Sequence, residues 1–282
     1  MMKFPNILTN INISIFKIAP ILIGTVLVSS PSLAASFASS ESKVTIDNLS
    51  KNPDGVVAVE STVESFSING GETNADALAE ANFVSVPANA DNLSKSVVEG
   101  TGNSFFARAE SASAVLGNFS ILPGETFSFD FMVDFNLKTS INSLNKSANA
   151  GGDVSFFILE IVGEDTDILL DSFTVSGNLQ TAGDNDFFDF TQNIDGNNFT
   201  IIDDSVDLSF GSLEEYVSAS FDGSYQITFD SNQIINILLL EVKANYAQVS
   251  APEPSTTIAF LLFGALGVST RFKSRINRTL LR

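Results

Sequence analysis

Phe127-Ser128-Phe129-Asp130-Phe131-Met132-Val133-Asp134-Phe135-Asn136-Leu137-Lys138 sets bulky apolar residues at every second position against mostly polar ones. Successive side chains of an extended strand leave on opposite faces, so this alternation predicts a half-buried β-strand with one aromatic face. The strand is preceded by Leu122-Pro123-Gly124-Glu125, a turn in which Pro sets φ and Gly permits the positive φ that follows. Working outward, further strands are expected at 104–115, 154–162, 168–176, 187–191, 198–202, 206–210, 216–221, 224–229 and 235–249. Gly151-Gly152-Asp153, Asp195-Gly196-Asn197 and Asp222-Gly223 are read as the turns between them. Residues 154–162 are nearly continuously apolar, as in a central strand covered on both faces. In the last strand Leu238, Leu240, Val242, Ala244 and Tyr246 alternate with Leu239, Glu241, Lys243 and Asn245, and the second set is expected to face water. Short strands at this spacing predict an all-β fold, an antiparallel β-sandwich of jelly-roll-like type, over 101–250.

Residues 35–100 have a different texture, rich in Ser, Asn, Ala and Glu. They predict an irregular N-terminal segment with one strand at 56–68, turn material at 69–74 and a short helix at 75–81.

Composition excludes much chemistry. The 282 residues contain no Cys, no His and no Trp. Disulfides, thiolate nucleophiles, Ser-His-Asp relays and the usual zinc or haem ligand sets are therefore absent. A formal charge of −19 argues against nucleic acid as a partner, because phosphate binding requires clustered Lys and Arg. The 25 Phe against 3 Tyr point to core filling; sugar-stacking platforms favour rings with a polar tip.

The two ends differ from the body. Residues 1–34 carry Lys3 and Lys17, an apolar run at 18–28 and small residues at Ser32 and Ala34, the layout of a signal helix cleaved between Ala34 and Ala35 by signal peptidase. At the other end Pro252-Glu253-Pro254-Ser255-Thr256 precedes the apolar stretch 257–268, which is followed by Arg271, Lys273, Arg275, Arg278 and Arg282. The basic tail favours a terminus held on the cytoplasmic side of a membrane. A buried C-terminal helix and a permanent tail anchor are the alternatives, and five basic residues and no acidic one after the apolar stretch speak against the first.

In that order of features, residues 251–282 resemble the PEP-CTERM protein-sorting domain of Gram-negative bacteria that make extracellular polymeric substance. The turn and strand start at Pro123-Gly124-Glu125-Thr126-Phe127 is also similar to bodies found in cyanobacterial proteins of this sorting family. The tail resemblance implies a C-terminal transmembrane sorting helix, recognition by a membrane-embedded exosortase, transient residence in the inner membrane, and delivery to the cell surface or the extracellular space. The basic residues are more spread out here than the compact cluster of many members.

Removing both ends sharpens the charge. Two of the 14 basic residues lie in 1–34 and five in the tail, while Glu253 alone of the 33 acidic residues is lost, so the body stands near −25. Such a charge keeps an exported protein dispersed and attracts divalent cations. Calcium takes six to eight oxygen ligands, which makes Glu164-Asp165-Thr166-Asp167, Asp184-Asn185-Asp186 with Asp189, and Asp203-Asp204 with Asp207 the clusters to consider. Asp184 and Asp186 are the first candidates, since a Gly-Asp-Asn-Asp turn brings both carboxylates near a backbone carbonyl. None matches an EF-hand loop, and solvated turn residues are the competing reading. Asn-x-Ser/Thr triplets at Asn48, Asn92, Asn118, Asn145 and Asn198 fit an Asn- and Ser-rich composition. No nucleotide fingerprint, serine elbow or fixed-period repeat is present.

These readings converge on an exported, non-enzymatic cell-surface or extracellular-matrix protein. The alternatives are a calcium-dependent carbohydrate-binding module for the extracellular polysaccharide and, further off, a carboxylate-based glycoside hydrolase.

Overall fold

The computed structural model describes residues 36–68, 71–102, 104–162, 167–192, 198–230 and 232–251. The signal segment, Pro252 to Thr256, the apolar tail and its basic residues lie outside the described residues, as do Glu164, Asp165 and Asp195-Gly196-Asn197. Every element among the described residues is a strand: β1 (Ser36–Asp47), β2 (Gly55–Ile68), β3 (Gly71–Ser85), β4 (Ala88–Gly102), β5 (Phe105–Ile121), β6 (Thr126–Ser140), β7 (Ser147–Ile161), β8 (Asp167–Thr181), β9 (Phe187–Gln192), β10 (Phe199–Ser209), β11 (Glu214–Thr228) and β12 (Ile235–Ala251). They form two antiparallel six-stranded sheets, sheet A in the order β10-β11-β6-β1-β4-β3 and sheet B in the order β2-β5-β12-β7-β8-β9. The described residues are all-β and their two sheets pack as a sandwich.

The alternating stretch is β6, paired with β1 on one side and β11 on the other. Phe127, Phe129, Phe131, Val133, Phe135 and Leu137 all point inward and are at most 3% exposed. They meet Phe156 and Phe173 of sheet B, Phe119 of β5, and Phe199 and Tyr225 of β10 and β11. Ring centroids such as Phe119–Phe127 at 4.7 Å and Phe131–Phe156 at 5.2 Å fall where aromatic pairs attract. A disulfide-free sandwich is stabilised by burial of this kind, about 1.5–3 kcal/mol for each large apolar side chain.

Several expectations are corrected. The segment expected to be irregular supplies four strands, and β1 lies in the middle of sheet A between β4 and β6. Its inward positions are Ala38, Ser40, Ser42, Val44 and Ile46, and those of β4 include Ala90, Asn92, Ser94, Ser96 and Val98. Small and polar inward residues hide the period-two signal. The helix expected at 75–81 is part of β3, with Ala75 and Ala79 turned inward; Ala is a good helix former, but alternate Ala residues pack equally well against β4.

Two predicted turns run through strands instead. Asp222-Gly223 is internal to β11, which joins 216–221 to 224–229, and Gly151-Gly152-Asp153 is internal to β7. These glycines provide room: a Cβ at Gly223 would strike the Phe131 ring and one at Gly151 would strike Tyr246. Likewise 198–202 and 206–210 are one strand, β10, with a register shift between Ile201 and Asp203. The turn at Leu122-Pro123-Gly124-Glu125 is as expected: Gly124 has φ 75°, and its N–H donates to Phe229 O at 3.0 Å.

The two faces of β12 are reversed relative to expectation. Glu241, Lys243 and Asn245 point into the sandwich and are at most 3% exposed, while Leu238, Leu240 and Val242 lie on the outer face of sheet B. Register decides this. Glu241, Lys243 and Asn245 share rows with the inward-facing Val115, Ser113 and Ser111 of β5.

Candidate functional site

Asp184 and Asp186 stand in the β8–β9 connection. The Asp186 carboxylate accepts from the Gln180 N–H at 2.7 Å, and Asn178 Nδ2 donates to Asn185 O at 2.6 Å, so this loop is closed by its own polar groups. Burial pushes the Asp186 carboxyl up, the Gln180 N–H opposes that, and the negative charges of Glu215 and Asp184 push it further up. Among the described residues no three acidic side chains come together in a way that could hold a metal ion. Asp203, Asp204 and Asp207 are exposed along β10, and Tyr216 Oη donates to Asp207 at 3.2 Å. Two buried carboxylates have structural partners. Glu215 accepts from Gly211 N–H and Thr181 Oγ1, at 2.8 and 2.5 Å, and Asp171 accepts from Asn198 N–H and Nδ2, at 3.2 and 3.1 Å.

The outer faces of the two sheets differ in character. On sheet A one cross-strand row runs Asp91, Thr45, Met132, Asp222, Asp203, and Asp130 and Asp134 flank it on β6. A shallow hollow of about 300 Å³ opens on this face between Thr45, Asp47, Asp130, Met132, Ile202 and Asp222. On sheet B the corresponding row reads Val57, Leu116, Leu240, Phe157, Ser172, and the rows on either side of it contain no charged residue. The negative charge of the body is therefore unevenly placed, heavy on one face and absent from much of the other.

The ends of the described chain leave the sandwich together. Ser36 pairs with Gly100 and Ala251 pairs with Phe105, and Gly100 lies beneath the Phe105 ring, where a side chain would not fit. One pole therefore emits both the segment before β1 and the segment after β12.

A polar seam crosses the interior where β1 and β4 face β5 and β12. Ser40 Oγ donates to Gly151 O at 2.9 Å; Asn245 Nδ2 donates to Ser42 Oγ at 2.6 Å and to Ser94 O at 3.0 Å; Ser111 Oγ lies 2.8 Å from Ser94 Oγ. At one end of the seam Asn92, Glu241 and Lys243 meet, each at most 2% exposed. Asn92 Nδ2 donates to Glu241 Oε2, Lys243 Nζ donates to Asn92 O at 2.5 Å, and Nζ lies 3.6 Å from Glu241 Oε1. Burial pushes the Glu241 carboxyl up, with Lys243 and Asn92 opposing, and pulls the Lys243 ammonium down to about 8, with Glu241 opposing. Sequence reading missed this group by assigning Glu241 and Lys243 to a wet face and Asn92 to an Asn- and Ser-rich composition. The available signal was a Glu-x-Lys-x-Asn spacing in a stretch, 237–247, otherwise apolar on both faces, in a body with seven basic residues.

No family model matches the chain. No curated protein matches it. Among solved structures, a chain from "Structure of infectious bursal disease virus Gt strain" aligns at 10% identity over 85% of this chain and 74% of that one, with a TM-score of 0.10, a likeness too low to carry any argument.

Proposed function

We propose that this chain is an exported, non-enzymatic protein of the cell surface or extracellular matrix, sorted by a C-terminal tail that resembles a PEP-CTERM signal and is processed by an exosortase. The observation that supports it is the common exit of both chain ends. Ser36 and Ala251 leave at one pole, so a signal segment and a sorting helix attached there engage one membrane while the rest of the sandwich points away from it. Strands that repeatedly change sheet along the chain support a jelly-roll-like winding, and the acidic outer face of sheet A suits a body that stays dispersed after release. Surface or matrix placement needs no catalytic centre, and the buried carboxylates are engaged by structural donors, Glu215 by Gly211 of its own hairpin and Asp171 by Asn198 at the start of β10.

The test is cell fractionation with the sorting motif disabled. Replacing Pro252, Glu253 and Pro254 by alanine is expected to leave precursor in the membrane fraction and to deplete the extracellular protein. Identical distribution of variant and wild type would contradict the reading.

A further inference from the structure

Lys243 and Asn92 belong to opposite sheets and are 151 residues apart in sequence, yet the lysine amine touches the asparagine main chain at 2.5 Å. Glu241, two positions before Lys243 on the same face of β12, contacts the Asn92 carboxamide through Oε2 and faces the amine through Oε1 at 3.6 Å. The enclosure is closed to solvent: in-register neighbours of Asn92 and of the Glu241–Lys243 pair include Val44, Val115, Phe156 and Val154, each at most 1% exposed, and Ser113, 2% exposed. Asn92 Oδ1 has no hydrogen-bond partner, although the residue is 2% exposed.

An ordinary structural ion pair does not need this arrangement. Burying a charged pair costs several kcal/mol per ion unless further hydrogen bonds compensate, and here the carboxamide oxygen of Asn92 and Oε1 of Glu241 are both left without a hydrogen bond. The same three groups are, however, the complete set for an amide exchange: an amine nucleophile, a carboxamide electrophile and a carboxyl that carries the proton between them. We propose that Lys243 and Asn92 become joined by an intramolecular isopeptide bond, with Glu241 as the proton carrier, so that β12 of sheet B is covalently tied to β4 of sheet A.

The chemistry balances with these groups alone. In the buried seam the proton passes from the Lys243 ammonium to the Glu241 carboxylate, leaving a neutral amine and a neutral acid, the direction in which burial shifts both groups. Turning the Asn92 carboxamide about its terminal torsion exchanges its nitrogen and oxygen, so the protonated carboxyl donates to Oδ1 and polarises the amide carbon. The Nζ lone pair forms a bond to Asn92 Cγ, and the carbonyl π electrons move onto Oδ1. Glu241 takes the proton released from Nζ and delivers one to Nδ2. The Cγ–Nδ2 bond then breaks, the carbonyl re-forms and ammonia leaves. An amine and a primary amide have become a secondary amide and ammonia; nothing is oxidised or reduced and no cofactor takes part. In a chain without cysteine this supplies a cross-link that reductants do not open.

The experiment is peptide mass spectrometry on the protein purified from full-length expression, digested after denaturation. The expected result is a branched species joining the peptide that contains Asn92 to the one that contains Lys243, lighter than their sum by one ammonia, about 17 Da, and present in nearly every chain. In E241Q, whose shape is unchanged, the branched species is expected to fall at least about tenfold because the proton carrier is gone. Recovery of unmodified linear peptides bearing Asn92 and Lys243 in full yield from folded wild-type protein would overturn the proposal, and an undiminished branch in E241Q would overturn the role of Glu241. K243M and N92A are expected to lack the branch; should either fail to fold, the wild-type measurement decides alone.

Discussion

Asp153 lies on the outer face of sheet B, between Ala244 of β12 and Ser176 of β8, and burial pushes its carboxyl up to about 6. A raised carboxylate favours the protonated folded state, so its contribution to stability is fully present below the unfolded pKa and is lost as pH rises through about 6. D153N is therefore expected to leave stability unchanged near pH 3.5 and to raise it by about 1–2 kcal/mol at pH 8, measured by urea denaturation. No gain at pH 8 would place the carboxylate in water after all. At this scale the sequence was half legible. Alternation in β12 separates Leu238, Leu240 and Val242 from Glu241, Lys243 and Asn245, but it does not say which set faces inward. That choice depends on partners far away in the chain: the inward serines of β1, β4 and β5 make the interior polar where Glu241, Lys243 and Asn245 enter it. Asp184 and Asp186 were located in a turn correctly, but Asp186 is spent on the Gln180 N–H of its own hairpin.

At the scale of elements, two glycines that look alike in sequence do different work. Gly124 has φ 75° and open space around a hypothetical side chain, whereas Gly223 sits within β11 against the Phe131 ring and the Thr200 carbonyl. G124N is expected to fold with nearly wild-type stability, since Asn tolerates positive φ, while G223A is expected to lose about 1–3 kcal/mol by overpacking. Thermal melts of the two variants check this, and equal losses would contradict the distinction. The strands most legible in sequence were those whose inward residues are large. β6, with its Phe series, was read to within a few residues, while β1, β3 and β4 were missed because Ser and Ala line their inward faces. Edge strand β3 is also covered in a way that no local pattern reveals: Glu60 and Glu64 of β2 accept the N–H groups of Ala81 and Ala77 at 2.7 and 3.1 Å. Side chains from the edge of one sheet thus satisfy the open backbone edge of the other, where a bare edge would invite aggregation.

At the scale of the molecule, the sandwich carries a cross-strand row of acidic residues on the outer face of sheet A, leaves much of the outer face of sheet B uncharged, and releases both ends at one pole. The segmental charge of the sequence anticipated a body far more acidic than the whole chain, though not its uneven distribution, which depends on strand order. Export remains the reading that the ends of the sequence and the shared pole support together. It is tested most directly by determining both termini of the extracellular protein by mass spectrometry. The account expects an N-terminus at Ala35 and a C-terminus upstream of the basic residues that follow the apolar stretch; an extracellular protein ending at Arg282 would contradict it.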